Sequence, residues 1–142
     1  MPRSYTAEAT AEIKAPAARI WKALTDPKEV KQYFFGTDLK TDWKVGSPMT
    51  FTGEWQGKPY EDLGTVTEFE PNRRLAYSHW SPLSGTSDTP ENRHELVYNL
   101  EEDGDRTRVT LTQDNNESEE ANAHSEEMWQ SLLDGLKKLV EA

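Results

Sequence analysis

Cysteine is absent from this chain of 142 residues, which excludes a disulfide framework, a thiolate nucleophile and any cysteine-held zinc or iron–sulfur centre. No apolar run approaches the roughly 20 residues of a membrane-spanning helix. The segment Met1 to Ala18 lacks the apolar stretch of a secretion signal, so Asn116-Glu117-Ser118 reads as a chance glycosylation match and the expected location is the cytoplasm. Catalytic signatures are missing too: there is no Gly-x-Ser-x-Gly elbow, no P-loop and no Gly-x-Gly-x-x-Gly turn. Basic residues are scarce, with 16 Lys and Arg against 26 Asp and Glu. Residues 101–142 carry 12 of those acids and only 4 of the bases. Such a field repels phosphate backbones and anionic bilayers, so neither nucleic acid nor a membrane is an expected partner. The acid block from Asp114 to Glu127 could dock a basic partner, but it also suits the positive end of a helix dipole, which is the expected role.

What is present is regular. The 5 Trp, 5 Tyr and 4 Phe fall at strand and helix positions, so the chain reads as a folded domain, and one domain by length. From Tyr5 to Lys14 alternate residues share a face, with Tyr5, Ala7, Ala9, Ala11 and Ile13 expected inside. Pro16 opens a short helix bearing Ile20, Trp21 and Leu24. Asp26-Pro27-Lys28-Glu29 opens a second, with Asp26 as N-cap and Glu29 reaching back to it. Strands follow at Met49–Trp55, Tyr60–Phe69, Leu75–Trp80, His94–Leu100 and Arg106–Thr112, separated by turn chemistry. Val66 and Phe69 share a face only if a bulge lies between them. From Glu119 to Ala142 no proline intervenes, and Trp129, Leu132, Leu133, Leu136, Leu139 and Val140 form one apolar stripe of an amphipathic helix.

Strand parity points Met49, Phe51, Trp55, Leu75, Tyr77, His79, His94, Leu96, Tyr98, Leu100, Val109 and Leu111 toward that helix. The list turns from aliphatic to aromatic and polar along its axis. So does the helix, whose stripe continues toward its start as Met128, Ser125, Asn122 and Ala121. A pocket with hydrogen-bonding handles fits this gradient. Asp62, Glu68 and Glu95 are expected in solvent.

The order strand, two helices, sheet, long helix resembles the START-like, or SRPBCC, helix-grip superfamily. Within it, several segments resemble the group named for activators of the heat-shock protein 90 ATPase. These are Ala15-Pro16 through Ile20-Trp21-Lys22-Ala23-Leu24-Thr25-Asp26-Pro27, Tyr33-Phe34, Gly64-Thr65-Val66, and Pro71-Asn72-Arg73-Arg74-Leu75-Ala76-Tyr77. Leu100-Glu101-Glu102-Asp103-Gly104 through Leu111, and Trp129 with its leucines, complete the match over essentially the whole chain. His79 stands where that group often has Trp. The resemblance implies a single α+β domain over residues 1–142, with a curved antiparallel sheet of six to seven strands and a long C-terminal helix across its concave face. It also implies a cavity; the superfamily includes lipid and hormone carriers, polyketide cyclases, stress proteins and chaperone activators.

The candidate ligand-binding residues are therefore Trp55, Tyr77, His79, His94, Tyr98, Asn122, Ser125 and Trp129. The expected ligand is a small hydrophobic or aromatic molecule, with no cofactor and no catalytic residue. Two alternatives stand beside it: an interaction module for a chaperone, and a cofactor-free cyclase in which Tyr77, His94 and Asn122 orient a polyketone. His79, His94 and His124 could in principle gather around zinc, but no His-x-His or His-x3-His spacing supports a ligand set. Trp43 is expected to roof the site or rim an interface, and Ser81–Asn92 to be a lid or a plain connection.

Overall fold

A computed structural model describes residues 5–34, 36–55, 57–81, 87–116 and 118–141, the side chains of Trp55 and Pro90 excepted. In chain order the elements are β1 (Tyr5–Ile13), α1 (Ala17–Thr25), α2 (Pro27–Tyr33), β2 (Asp38–Lys40), β3 (Pro48–Trp55), β4 (Lys58–Glu70), β5 (Arg74–Trp80), β6 (His94–Asp103), β7 (Arg106–Asn116) and α3 (Glu119–Glu141). The strands form one antiparallel sheet in the order β1-β7-β6-β5-β4-β3-β2. This is the expected α+β architecture, with seven strands and a curved sheet. Among the described residues no helix is long and apolar enough to cross a membrane.

Alternation builds the inner face. Ala7, Ala9, Ala11 and Ile13 are buried on β1, and Val109 and Leu111 on β7 beside them. The small alanines let α3 lie close, and Leu132, Leu133 and Leu136 fill the interface completely. Ser118 caps α3, its Oγ accepting from the Ala121 amide at 3.1 Å, as a serine before an apolar stripe should. The α2 cap forms through Asp26, whose Oδ1 accepts from the Lys28 amide at 2.9 Å.

Several local expectations are corrected. Tyr5 is exposed, because the β1–β7 register shifts between Tyr5 and Ala7. Glu29 does not reach back to the cap; it pairs instead with Arg19 at 2.7 Å, a charge stronger than an amide. Met128 is exposed, so the stripe leaves it aside and continues through Ser125 and Asn122, both half-buried. Strand β2 went unread, and β7 runs on past Thr112 to Asn116.

The free edge of β1 is occupied by side chains of α3. The amides of Glu8 and Lys14 donate to the carboxylates of Glu126 (3.1 Å) and Glu141 (2.8 Å). The carbonyls of Thr10 and Glu12 accept from Gln130 (3.1 Å) and Lys137 (2.6 Å). Backbone groups that would otherwise face water or another strand are thus paired in alternation.

On the other side of the sheet, the expected bulge in β4 lies between Val66 and Glu68. It bends the strand and brings Phe69 against Trp21, ring centroids 5.3 Å apart. Gly64 is needed at the middle of β4, since a Cβ there would stand 2.4 Å from the Ser78 carbonyl oxygen. Its bare backbone also leaves a hollow that the Phe51 ring enters from β3.

Candidate functional site

Because β4 carries glycine at that point, Phe51 reaches across it to β5. Its ring lies 5.5 Å from Tyr77 and 5.2 Å from His79. Phe34, just beyond α2, packs on Phe51 at 6.0 Å and on Trp129 at 6.1 Å. Tyr98 stands beside Tyr77 at 6.1 Å. These rings form an aromatic wall between α2, the middle of the sheet and α3.

Tyr77 and Tyr98 are buried, and their hydroxyls meet at 3.4 Å. That is long for an O–H···O bond. Two phenols own two protons, and one bond uses one of them, so one donor has no acceptor among the described residues. Tyr33 is buried nearby with its hydroxyl donating to the Ala23 carbonyl at 2.8 Å. Burial raises all three phenol pKa values, that of Tyr98 to about 12, so they act as neutral hydrogen-bonding groups.

A void of about 10 Å³ lies against this wall, lined by Leu24, Val30, Tyr33, Phe34, Leu39, Trp43, Phe51, Leu75, Tyr77 and Tyr98. It is about the size of one water. Trp43 lines it, half-buried, with its indole N–H donating to the Thr25 carbonyl at 3.0 Å.

The other candidates separate into groups of their own. Trp129 is buried, and its indole N–H donates to Gln113 Oε1. Gln113 Nε2 donates to Asn116 Oδ1 at 3.2 Å. Asn116 Nδ2 donates to Asn122 Oδ1 at 2.9 Å, and Ser125 Oγ stands 3.4 Å from Asn116 Oδ1. Asn122, Ser125 and Trp129 are therefore joined through two residues, Gln113 and Asn116, that the sequence reading missed. Asn115, at φ 61°, changes the parity so that Gln113 and Asn116 both turn inward. Inward Val109 and Leu111 already pointed to Gln113; the second turn had no signal.

His79 and His94 are register partners on β5 and β6, opposite each other as parity allowed. They do not act together. His94 Nδ1 bonds the Asp114 carbonyl at 2.8 Å. His79 Nε2 instead bonds Asp62 Oδ2 at 3.1 Å. Asp62 was expected in solvent, yet its side chain and that of His79 are only 15% and 19% exposed. Parity with Gly64 and Val66 could have placed it inward. Glu68 and Glu95 do lie outside, held by Arg74 and Thr67. His124 faces solvent, and among the described residues no three His, Asp or Glu are placed to hold a metal ion. The Trp55 side chain and residues 82–86 of the expected lid lie outside the described residues. In the described part of that connection, Arg93 holds Asp88 at 2.8 Å and Ser78 Oγ at 2.9 Å.

A curved antiparallel sheet gripped by a C-terminal helix, with two short helices closing one side, defines a helix-grip domain. The chain belongs to the family described as Activator of Hsp90 ATPase homolog 1-like protein, which it matches over residues 14–141. It is similar to the solution structure of ChR145 from Cytophaga hutchinsonii, at 45% identity and a TM-score of 0.87, covering 99% of this chain and 97% of that one. The Aha1 dimer from Colwellia psychrerythraea is 25% identical, with a TM-score of 0.74 and 96% of each chain covered. CalU16 from Micromonospora echinospora is also 25% identical at a TM-score of 0.74, covering 99% of this chain and 80% of that one. No curated protein matches.

Proposed function

We propose that this domain binds a small hydrophobic or aromatic molecule against the aromatic wall, between the middle of the sheet and the start of α3. The observation that carries the reading is the buried pair Tyr77–Tyr98, which has one hydroxyl proton without an acceptor among the described residues, beside a void. A buried donor without an acceptor is costly, and a ligand oxygen would relieve it. The described void is far below the roughly 300 Å³ of an ordinary ligand pocket. Binding therefore requires the rings of Phe34 and Trp129 to move apart, which their edge-on contact permits without breaking a strand pair. Titrating apolar aromatic molecules into labelled protein tests this. Shifts at Tyr77, Tyr98 and Trp129 that saturate are expected, and a screen that moves none of them refutes the reading.

The same tight interior favours a second reading, an outer-surface module for a chaperone. Asp114, Glu119, Glu120 and Glu127 are exposed around the start of α3 and would meet a basic surface. A chaperone domain titrated in should then shift this segment alone, and added salt should weaken the contact.

A further inference from the structure

Asp62 is the least expected residue of the inner face. It sits opposite Phe51 in the β3–β4 register, diagonal to His79 across β5. One carboxylate oxygen bonds His79 Nε2, and the other, Oδ1, is buried with no partner among the described residues. A buried carboxylate oxygen left unpaired calls for an explanation. An ionised carboxylate only accepts, so its bond fixes the proton of His79 on Nε2. In its neutral form the ring then carries its lone pair on Nδ1. This is the arrangement by which a carboxylate orients an imidazole as a base. The ring lies edge-on to Phe51 and is half-buried, within reach of both solvent and the aromatic wall.

We propose that Asp62 and His79 form a proton-accepting pair at the rim of the wall, and that the ligand class it selects is a phenol. The inference rests on the ligand-binding reading above and specifies it. The phenol ring takes the place on Phe51 that Phe34 leaves as it moves aside, its O–H bond opens toward Nδ1, and the proton passes to the imidazole. The electron pair stays on the phenolate oxygen. The imidazolium then lies between two anions, phenolate and Asp62, with Asp62 as the positioning residue. The other groups nearby are neutral or committed: Tyr77 on the same strand stays protonated, and His94 opposite is tied to the Asp114 carbonyl.

The test uses the intact protein with para-nitrophenol, coloured only as phenolate, and para-nitroanisole, which has no proton to give. In buffer acid enough that free probe is mostly phenol, bound nitrophenol should turn to the phenolate colour. His79 ring nitrogens followed by NMR at the same pH should gain a proton on Nδ1 when nitrophenol binds and not when nitroanisole does, a readout that needs no variant. Asp62→Asn should narrow the preference for nitrophenol over nitroanisole about tenfold, the scale of one charge-assisted hydrogen bond. His79→Gln should abolish the colour change. If both probes bind equally well, or the colour persists in Asp62→Asn, the pair is a mere brace between strands; the inference falls and the ligand reading stands. If neither probe binds, both fall.

Discussion

Under α3, where β1 and β7 run, the inward side chains are alanine, valine, isoleucine and leucine with three hydrogen-bonded polar residues, Thr107, Gln113 and Asn116, and the helix answers with leucines that lose all contact with solvent. Over β3, β4 and β5 the aromatic or ionisable Phe51, Tyr77, His79 and Asp62 join the aliphatic Met49, Val66 and Leu75, a water-sized void remains, and the Tyr77–Tyr98 pair and Asp62 keep hydrogen-bonding atoms with no partner among the described residues. One sheet thus has a half in which the buried polar side chains are matched and a half in which, among the described residues, some are not. The first half explains why the domain folds. The second is where a ligand would supply what the chain does not.

Trp129 joins the halves, so its removal should give the largest effect. Trp129→Ala is expected to cost about 3–5 kcal/mol in urea unfolding, since it empties a packed site and strands Gln113. A loss below about 1 kcal/mol would mean the two halves are not coupled through this ring. Next comes alkaline stability. Burial raises the Tyr98 pKa to about 12, so above the ordinary value near pH 10 the folded state holds a proton that the unfolded state has released, and stability falls as pH rises. Tyr98→Phe removes that penalty. The variant should gain about 2–3 kcal/mol on the wild type between roughly pH 10 and 12, read from denaturant midpoints across that range.

A smaller effect compares one hydroxyl from each half. Thr107 is fully buried and donates to the Ala15 carbonyl at 2.8 Å, so Thr107→Val should cost about 1–3 kcal/mol by leaving that carbonyl unpaired. Tyr77→Phe removes the weaker bond and should cost under about 1 kcal/mol. Equal costs would erase the distinction between the halves. The smallest effect is expected at Gln130→Ala, within about 0.5 kcal/mol in thermal unfolding, because its bonds lie at the surface.

The matched half was legible because it is periodic. Alanines at every second position of β1 and the leucine stripe of α3 leave little freedom of interpretation. The β4 bulge was legible for the same reason, since Val66 and Phe69 break a count that both must satisfy. Strand β2 was not, because three residues around one buried Leu39 carry no period. Tyr5 and Asn116 were lost where register shifts, at the β1–β7 irregularity and at the left-handed Asn115. Of the site, the inward tyrosines followed from strand parity and Trp129 from the helical stripe. Asp62 was set aside because carboxylates usually face water, and its partner His79 lies 17 positions away, beyond any local pattern.

The side chains that α3 lends to β1 have one further consequence. A β-sheet resembles a crystal face: whichever margin has vacant sites is where growth begins. Glu126, Gln130, Lys137 and Glu141 poison one margin of this sheet, and they do so from a helix that must already be docked. At the opposite margin, β2 offers three residues, too short a seam to seed a stack. Self-assembly through strands is therefore controlled by helix docking, and conditions that lift α3 should expose a growth front before the rest of the sheet comes apart.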